Sequence, residues 1–147
     1  MKVILNKKTI DPQEQKYRLL AHHLHITSKE SQELIDSGDY LVLTDDEADE
    51  KCAEYIKYSL WAFNASFLAG HCEIDESVIK SIQDNEKYED NNPVFEKLIK
   101  DMDHFIQDAV SADGRGHFMT SYDGEEIELK YKDRKGNTKY FYAYRIN

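Results

Sequence analysis

Between Thr44 and Gly70 the sequence reads TDDEADEKCAEYIKYSLWAFNASFLAG, and its apolar residues recur with a helical period. Thr44 with Glu47 three residues later is a capping box, and Asp45 and Asp46 sit in the first turn, where the helix dipole favours anions. Ala48, Cys52, Tyr55, Ile56, Ser59, Phe63 and Phe67 trace one face. Leu60, Trp61 and Leu68 widen it, so the second half is apolar nearly all round, as in a helix buried against several neighbours. This pattern predicts one long central helix over about residues 45–69, with Gly70 as its C-cap.

Upstream, Pro12 suits the first position of a helix, and Tyr17, Leu20, Ala21 and Leu24 follow at i, i+3, i+4 and i+7. Thr27 and Glu30 form another capping box, opening a short helix that stops at Gly38. Met1–Asn6 reads as a short edge strand, and Asp39–Leu43 (DYLVL) is rich in strand formers.

Downstream, Asp75 can cap a short helix through Val78, Ile79 and Ile82. After a polar stretch, Asn92-Pro93 starts a further helical pattern running from Phe95 through Ile99 and Met102 to Ala109. Gly114 and Gly116 end it. The chain closes on a hairpin. Ile127, Leu129 and Tyr131 alternate on one arm, Tyr140, Tyr142, Tyr144 and Ile146 on the other, and residues 133–137 form the loop. The expected fold is therefore α+β and a single domain over 1–147. A helical region at 1–38 precedes a core at 39–147, with a C-terminal antiparallel hairpin; whether 39–43 pairs with that hairpin is open.

Composition sets the class of protein. With 147 residues, 40% hydrophobic and 12% aromatic, the chain can build a core despite 33% charged residues and a mean hydropathy of -0.74. Its longest apolar run is far shorter than the ~20 residues of a membrane helix, and Lys7 and Lys8 interrupt any leader-like segment. Cys52 and Cys72 fall about 30 Å apart on one long helix, beyond the reach of a disulfide. These readings predict a cytoplasmic protein with reduced thiols and no membrane partner.

Net charge is -10, unevenly spread. Residues 129–147 hold six basic side chains and one acid, a local +5, which leaves 13 basic and 28 acidic groups, or -15, before them. Such a body opposes phosphate backbones and suits a basic surface.

Three candidate sites follow. The first is acidic: Asp45, Asp46, Asp49, Glu50 and Glu54, whose i, i+4 spacings repeat carboxylates about 6 Å apart along a helix axis, a step comparable to that between phosphates. It would bind a protein partner, and a solvated helix face is the simpler reading. The second is Asp113-Gly114-Arg115-Gly116-His117-Phe118, in which Arg115 could grip an anion, His117 titrate near neutrality and Asp123 orient it. This is a catalytic alternative without a paired nucleophile; a helix cap plus a turn leading into the hairpin is the simpler reading. The third is the hairpin, where Lys130, Lys132, Arg134, Lys135 and Lys139 interleave with tyrosines, a nucleic-acid-binding alternative in which one set of side chains must face the core.

Histidines at 22, 23 and 25, with His22 and His25 at i, i+3, and at 71 lack the spacing of a metal motif, so no metal or cofactor is expected. An aromatic hairpin could also pair edge to edge in a homodimer.

The segments DYLVLTDDEAD (39–49), SLWAFNASFLAGH (59–71), DGRGHFMTSYDGEE (113–126) and FYAYRIN (141–147) together resemble a family of small acidic proteins of tailed bacteriophages and prophages, usually described as of unknown function. The resemblance spans about 39–147; the first 38 residues and the basic stretch 130–139 depart from it. It implies a setting, the cytoplasm of a bacterial host, and carries no catalytic residue. The function expected is non-enzymatic. The protein would bind and inhibit or redirect a host nucleic-acid-handling protein, of anti-restriction or anti-CRISPR type, as a DNA mimic.

Overall fold

The structure is a computed structural model, and it describes residues 11–84 and 88–147; the strand expected at Met1–Asn6 lies outside them. The fold is α+β and mainly helical. In chain order come α1 (Pro12–Leu24), α2 (Ser28–Asp36), β1 (Tyr40–Leu43), α3 (Asp45–Tyr58), a 3-10 turn (Leu60–Ala62), α4 (Ala65–Cys72) and α5 (Glu76–Gln83). A second 3-10 turn (Tyr88–Asn91), α6 (Asn92–Leu98), α7 (Met102–Asp113), α8 (Arg115–Met119), β2 (Ile127–Lys132) and β3 (Thr138–Arg145) complete it. The chain divides into two compact units: a sheet unit, comprising the described residues up to Asp49 together with Met119–Asn147, and a helical unit, Glu50–Phe118.

In the sheet unit, both capping boxes form. Glu30 N–H donates to Thr27 Oγ1 and Thr27 N–H to Glu30 Oε1, and the same reciprocal pair joins Glu47 and Thr44 at 3.2 and 2.9 Å. Helix α2 ends in a Schellman arrangement: Gly38, at φ 85°, donates to Ile35 O, and Asp39 N–H reaches back to Leu34 O. That reversal aims the next residues into β1. Strand β1 pairs antiparallel with β3, Tyr40 opposite Arg145 and Val42 opposite Ala143, and β2 pairs with the other edge of β3. The C-terminal strand is therefore central, in the order β1-β3-β2.

Register decides which hairpin residues are core. Leu129 stands opposite Phe141 and Ile127 opposite Ala143, so Phe141 and Ala143 join Tyr40, Val42 and Leu20 in the core, with Leu19, Leu34 and Ile35 packed beside them. The sequence pattern singled out the even-numbered tyrosines of this arm. They occupy the opposite face, where Tyr140 and Tyr142 stack with ring centres 6.4 Å apart and Tyr140 is exposed. Tyr144 is nevertheless fully buried, its hydroxyl donating to a Glu126 carboxylate oxygen.

In the helical unit, the single long helix expected over 45–69 is broken. Helix α3 stops at Tyr58, and Ser59 turns its hydroxyl back onto Tyr55 O at 2.9 Å, closing the last turn. The kink is then held from outside. Asn92 Nδ2 donates to Lys57 O at 2.6 Å and its Oδ1 accepts from Trp61 N–H; Gln83 Nε2 donates to Trp61 O at 3.1 Å and Phe63 O at 2.7 Å. Asn64 caps α4 through Ser66 N–H at 2.9 Å. Helix α4 runs past Gly70 to Cys72 and is capped by Glu73, whose φ of 57° is left-handed. The pattern from Phe95 to Ala109 divides likewise: Ile99 is extended, Asp101 caps α7 by accepting His104 N–H, and Lys100 N–H donates to His71 O at 3.1 Å. Cys52 and Cys72 sit on different helices, and both are buried. Burial pushes the Cys72 thiol pKa up.

Among the described residues, no helix is long and apolar enough to cross a membrane.

Candidate functional site

Helix α4 delivers His71 one residue before its end, and α7 presents His104 and Asp108 one turn apart. The Lys100–His71 backbone bond ties the end of α4 to the segment entering α7, and Asp101 sets where α7 begins. Three side chains from these two helices converge. His71 Nε2 lies 2.9 Å from Asp108 Oδ2, and His104 Nε2 lies 3.5 Å from the same oxygen. The three ligand-type atoms are within 4.8 Å of one another.

The imidazole of His71 is held by packing. Its side chain is only 11% exposed, wedged between the rings of Phe67 and Phe105 at 4.9 and 5.0 Å, whereas those of His104 and Asp108 are 60% and 44% exposed. One side of the trio is thus fixed and the other open. A cavity of about 500 Å³ adjoins it, lined also by Glu73, Lys100 and Asp101. Two imidazoles and a carboxylate around an open position are a donor set suited to a divalent transition metal.

This site was only partly legible in the sequence. His104 and Asp108 show i, i+4 spacing, but His71 stands far upstream and enters through tertiary packing alone.

The histidines at 22, 23 and 25 do not form a comparable group on one face. His22 and His23 are exposed at the end of α1, and His25 has left the helix for φ 59°.

The acidic residues lie where helical spacing put them. Asp45, Asp46, Asp49, Glu50 and Glu54 are all exposed on α3, while Ala48, Cys52 and Ile56 form its buried stripe. Asp45 and Asp46 occupy the first turn, where they also stabilise the helix end. Glu47, the reciprocal cap, has its carboxyl held below the usual range by the Thr44 N–H it accepts.

On the hairpin, Lys130 stands opposite Tyr140 and Lys132 opposite Thr138, so both lysines share the face that carries the Tyr140–Tyr142 stack. Lys139, opposite Tyr131, belongs to the other face. Arg134 and Lys135 are in the turn, where Asp133 Oδ1 accepts the N–H groups of Lys135 and Asn137. The basic residues are thereby divided among two faces and a loop.

The Gly-Arg-Gly-His segment is not a loop. Gly114, at φ 86°, ends α7, and Arg115 to His117 belong to the five-residue helix α8. His117 is exposed at a cavity of about 510 Å³ whose walls include Ser59, Phe63, Phe67 and Asp113. Ser59, the one hydroxyl among the described residues lining it, donates to Tyr55 O, so its proton is committed to the backbone. Asp123 belongs to the sheet unit, its Oδ1 accepting Glu125 N–H at 2.9 Å in a turn.

Comparisons with protein-family models, with curated proteins and with solved structures found no match.

Proposed function

We propose that this protein is a non-enzymatic accessory protein of phage origin that binds a host nucleic-acid-handling protein and inhibits or redirects it through an acidic surface. The observation that supports the reading is helix α3, on which Asp45, Asp46, Asp49, Glu50 and Glu54 are all exposed while Ala48, Cys52 and Ile56 are buried. Carboxylates repeated at i, i+4 present a negative charge about every 6 Å of helix. A basic cleft built for phosphates meets a similar series, and binding of this kind weakens with salt because the charges are exposed. Its setting would be the host cytoplasm.

The test separates this face from helix stability. Asp49, Glu50 and Glu54 lie beyond the first turn, so Asp49→Asn, Glu50→Gln and Glu54→Gln together remove charge without stripping the acids that complement the helix dipole. Tagged wild-type and triple variant are used to capture partners from bacterial lysate, with and without nuclease. The expected result is a stoichiometric nucleic-acid-binding protein that survives nuclease, is released by added DNA, and is lost with the variant at unchanged circular dichroism. Capture unaffected by the substitutions would overturn the acidic-surface mechanism.

A second reading rests on the Tyr140–Tyr142 stack flanked by Lys130 and Lys132. Stacked rings beside cations can hold single-stranded nucleic acid. In the same experiment it predicts partners that disappear with nuclease treatment.

A further inference from the structure

We infer that His71, His104 and Asp108 form a binding site for one divalent transition-metal ion, with an open coordination position facing the adjoining cavity.

Geometry carries this inference. Zinc–ligand bonds to imidazole nitrogen and carboxylate oxygen are about 2.0–2.2 Å long, which places neighbouring ligand atoms roughly 2.9–3.5 Å apart in octahedral or tetrahedral shells. The two nitrogen–oxygen separations, 2.9 and 3.5 Å, span that interval. Both imidazoles direct Nε2 at one carboxylate oxygen, an arrangement that a single central cation would satisfy through all three groups at once. A hydrogen bond from His71 to Asp108 uses only one of the two rings.

The chain also supplies what a weak surface site lacks. Phe67 and Phe105 hold the His71 ring, so part of the ordering cost is met on folding. Three protein ligands leave a position for water or another small donor, and the cavity of about 500 Å³ gives it room. Glu73 and Asp101 line that cavity and add negative potential, while Lys100 opposes it. Imidazole donors favour zinc and its first-row neighbours over magnesium or calcium, which prefer oxygen. The site does not depend on the acidic face of α3, so the two readings stand or fall separately.

The experiment uses the full chain, freed of metal with chelator and titrated with Zn²⁺ alone in a calorimeter, with excess Mg²⁺ present as competitor. Binding of one ion per chain is expected, together with a rise in melting temperature. His104→Ala and Asp108→Asn should each weaken it by at least the about 10–100-fold that even a lost outer partner costs. The His104 side chain is mostly exposed and Asp108→Asn keeps the shape of a half-exposed side chain, so circular dichroism should remain that of the wild type. His22→Ala with His23→Ala, and Asp45→Asn with Asp49→Asn, should leave the affinity unchanged.

A ligand-field spectrum of the Co²⁺-loaded wild-type protein, together with Zn²⁺-induced shifts of the His71 and His104 ring nitrogens by NMR, reads the ligands without relying on any variant. Absence of saturable Zn²⁺ binding would overturn the inference. So would binding that persists in both ligand variants, or that is lost in either control pair.

Discussion

At the scale of single residues, the reciprocal Thr44–Glu47 cap has a measurable consequence. The cap satisfies two backbone donors at the start of α3, and Thr44→Ala should cost about 1 kcal/mol, read as a lower urea midpoint. It also couples stability to pH. The Glu47 carboxyl has a folded pKa below its ordinary 4.5, principally because it accepts the Thr44 N–H, so the stabilisation is present above that value and is lost as pH falls through the folded one. Glu30, held down by the Thr27 N–H, and Asp133, held down chiefly by the Asn137 N–H, act in the same direction. Any substitution that removes the cap bond to Glu47, Thr44→Pro included, should flatten the acid limb of a stability–pH curve; an unchanged limb would remove Glu47 from the account. Both capping boxes were legible in the sequence because a cap needs only four consecutive residues.

At the scale of elements, the break between α3 and α4 depends on side chains distant in sequence. Gln83 carries two bonds to the turn, to Trp61 O and Phe63 O, from a partly buried position. Gln83→Leu preserves bulk but leaves both carbonyls without this donor, and should cost about 1–3 kcal/mol in urea unfolding. A loss near zero would mean that water replaces the amide at no cost. The continuous period over 45–69 concealed this break because the turn keeps Leu60, Ala65 and Leu68 buried, as a helix would. Asn92, the first residue of α6, is of a type that caps helices. Its side chain is spent instead on Lys57 and Trp61, contacts no local pattern encodes.

At the scale of the whole molecule, the sheet joins segments far apart in the chain. Tyr40 pairs with Arg145, and Ile146 N–H donates to Asp39 O at 2.7 Å. Strand β3 is flanked on both edges, so its amides should exchange more slowly than the outward-facing amides of the edge strands β1 and β2, and the paired amides of β1 and β2 should be protected along with it. Hydrogen exchange read by NMR checks this. Fast exchange in β1 alone would show that the long-range pairing is weakly held. The buried face of β3 follows from the same pairing: Phe141 and Ala143 are core because Leu129, Ile127 and Val42 stand opposite them.

What the sequence determined by itself was local: the caps of α2 and α3, the proline start of α1, the hairpin and its turn, the amphipathic face of α3 and the uneven charge. Each depends on residues within a turn or two, where backbone geometry leaves few choices. Tertiary structure alone decided the kinks after Tyr58 and Leu98, the central place of β3, and the meeting of His71 with His104 and Asp108. Those features join groups tens of residues apart, and periodicity carries no information about which distant side chain will satisfy a freed carbonyl or share a carboxylate oxygen.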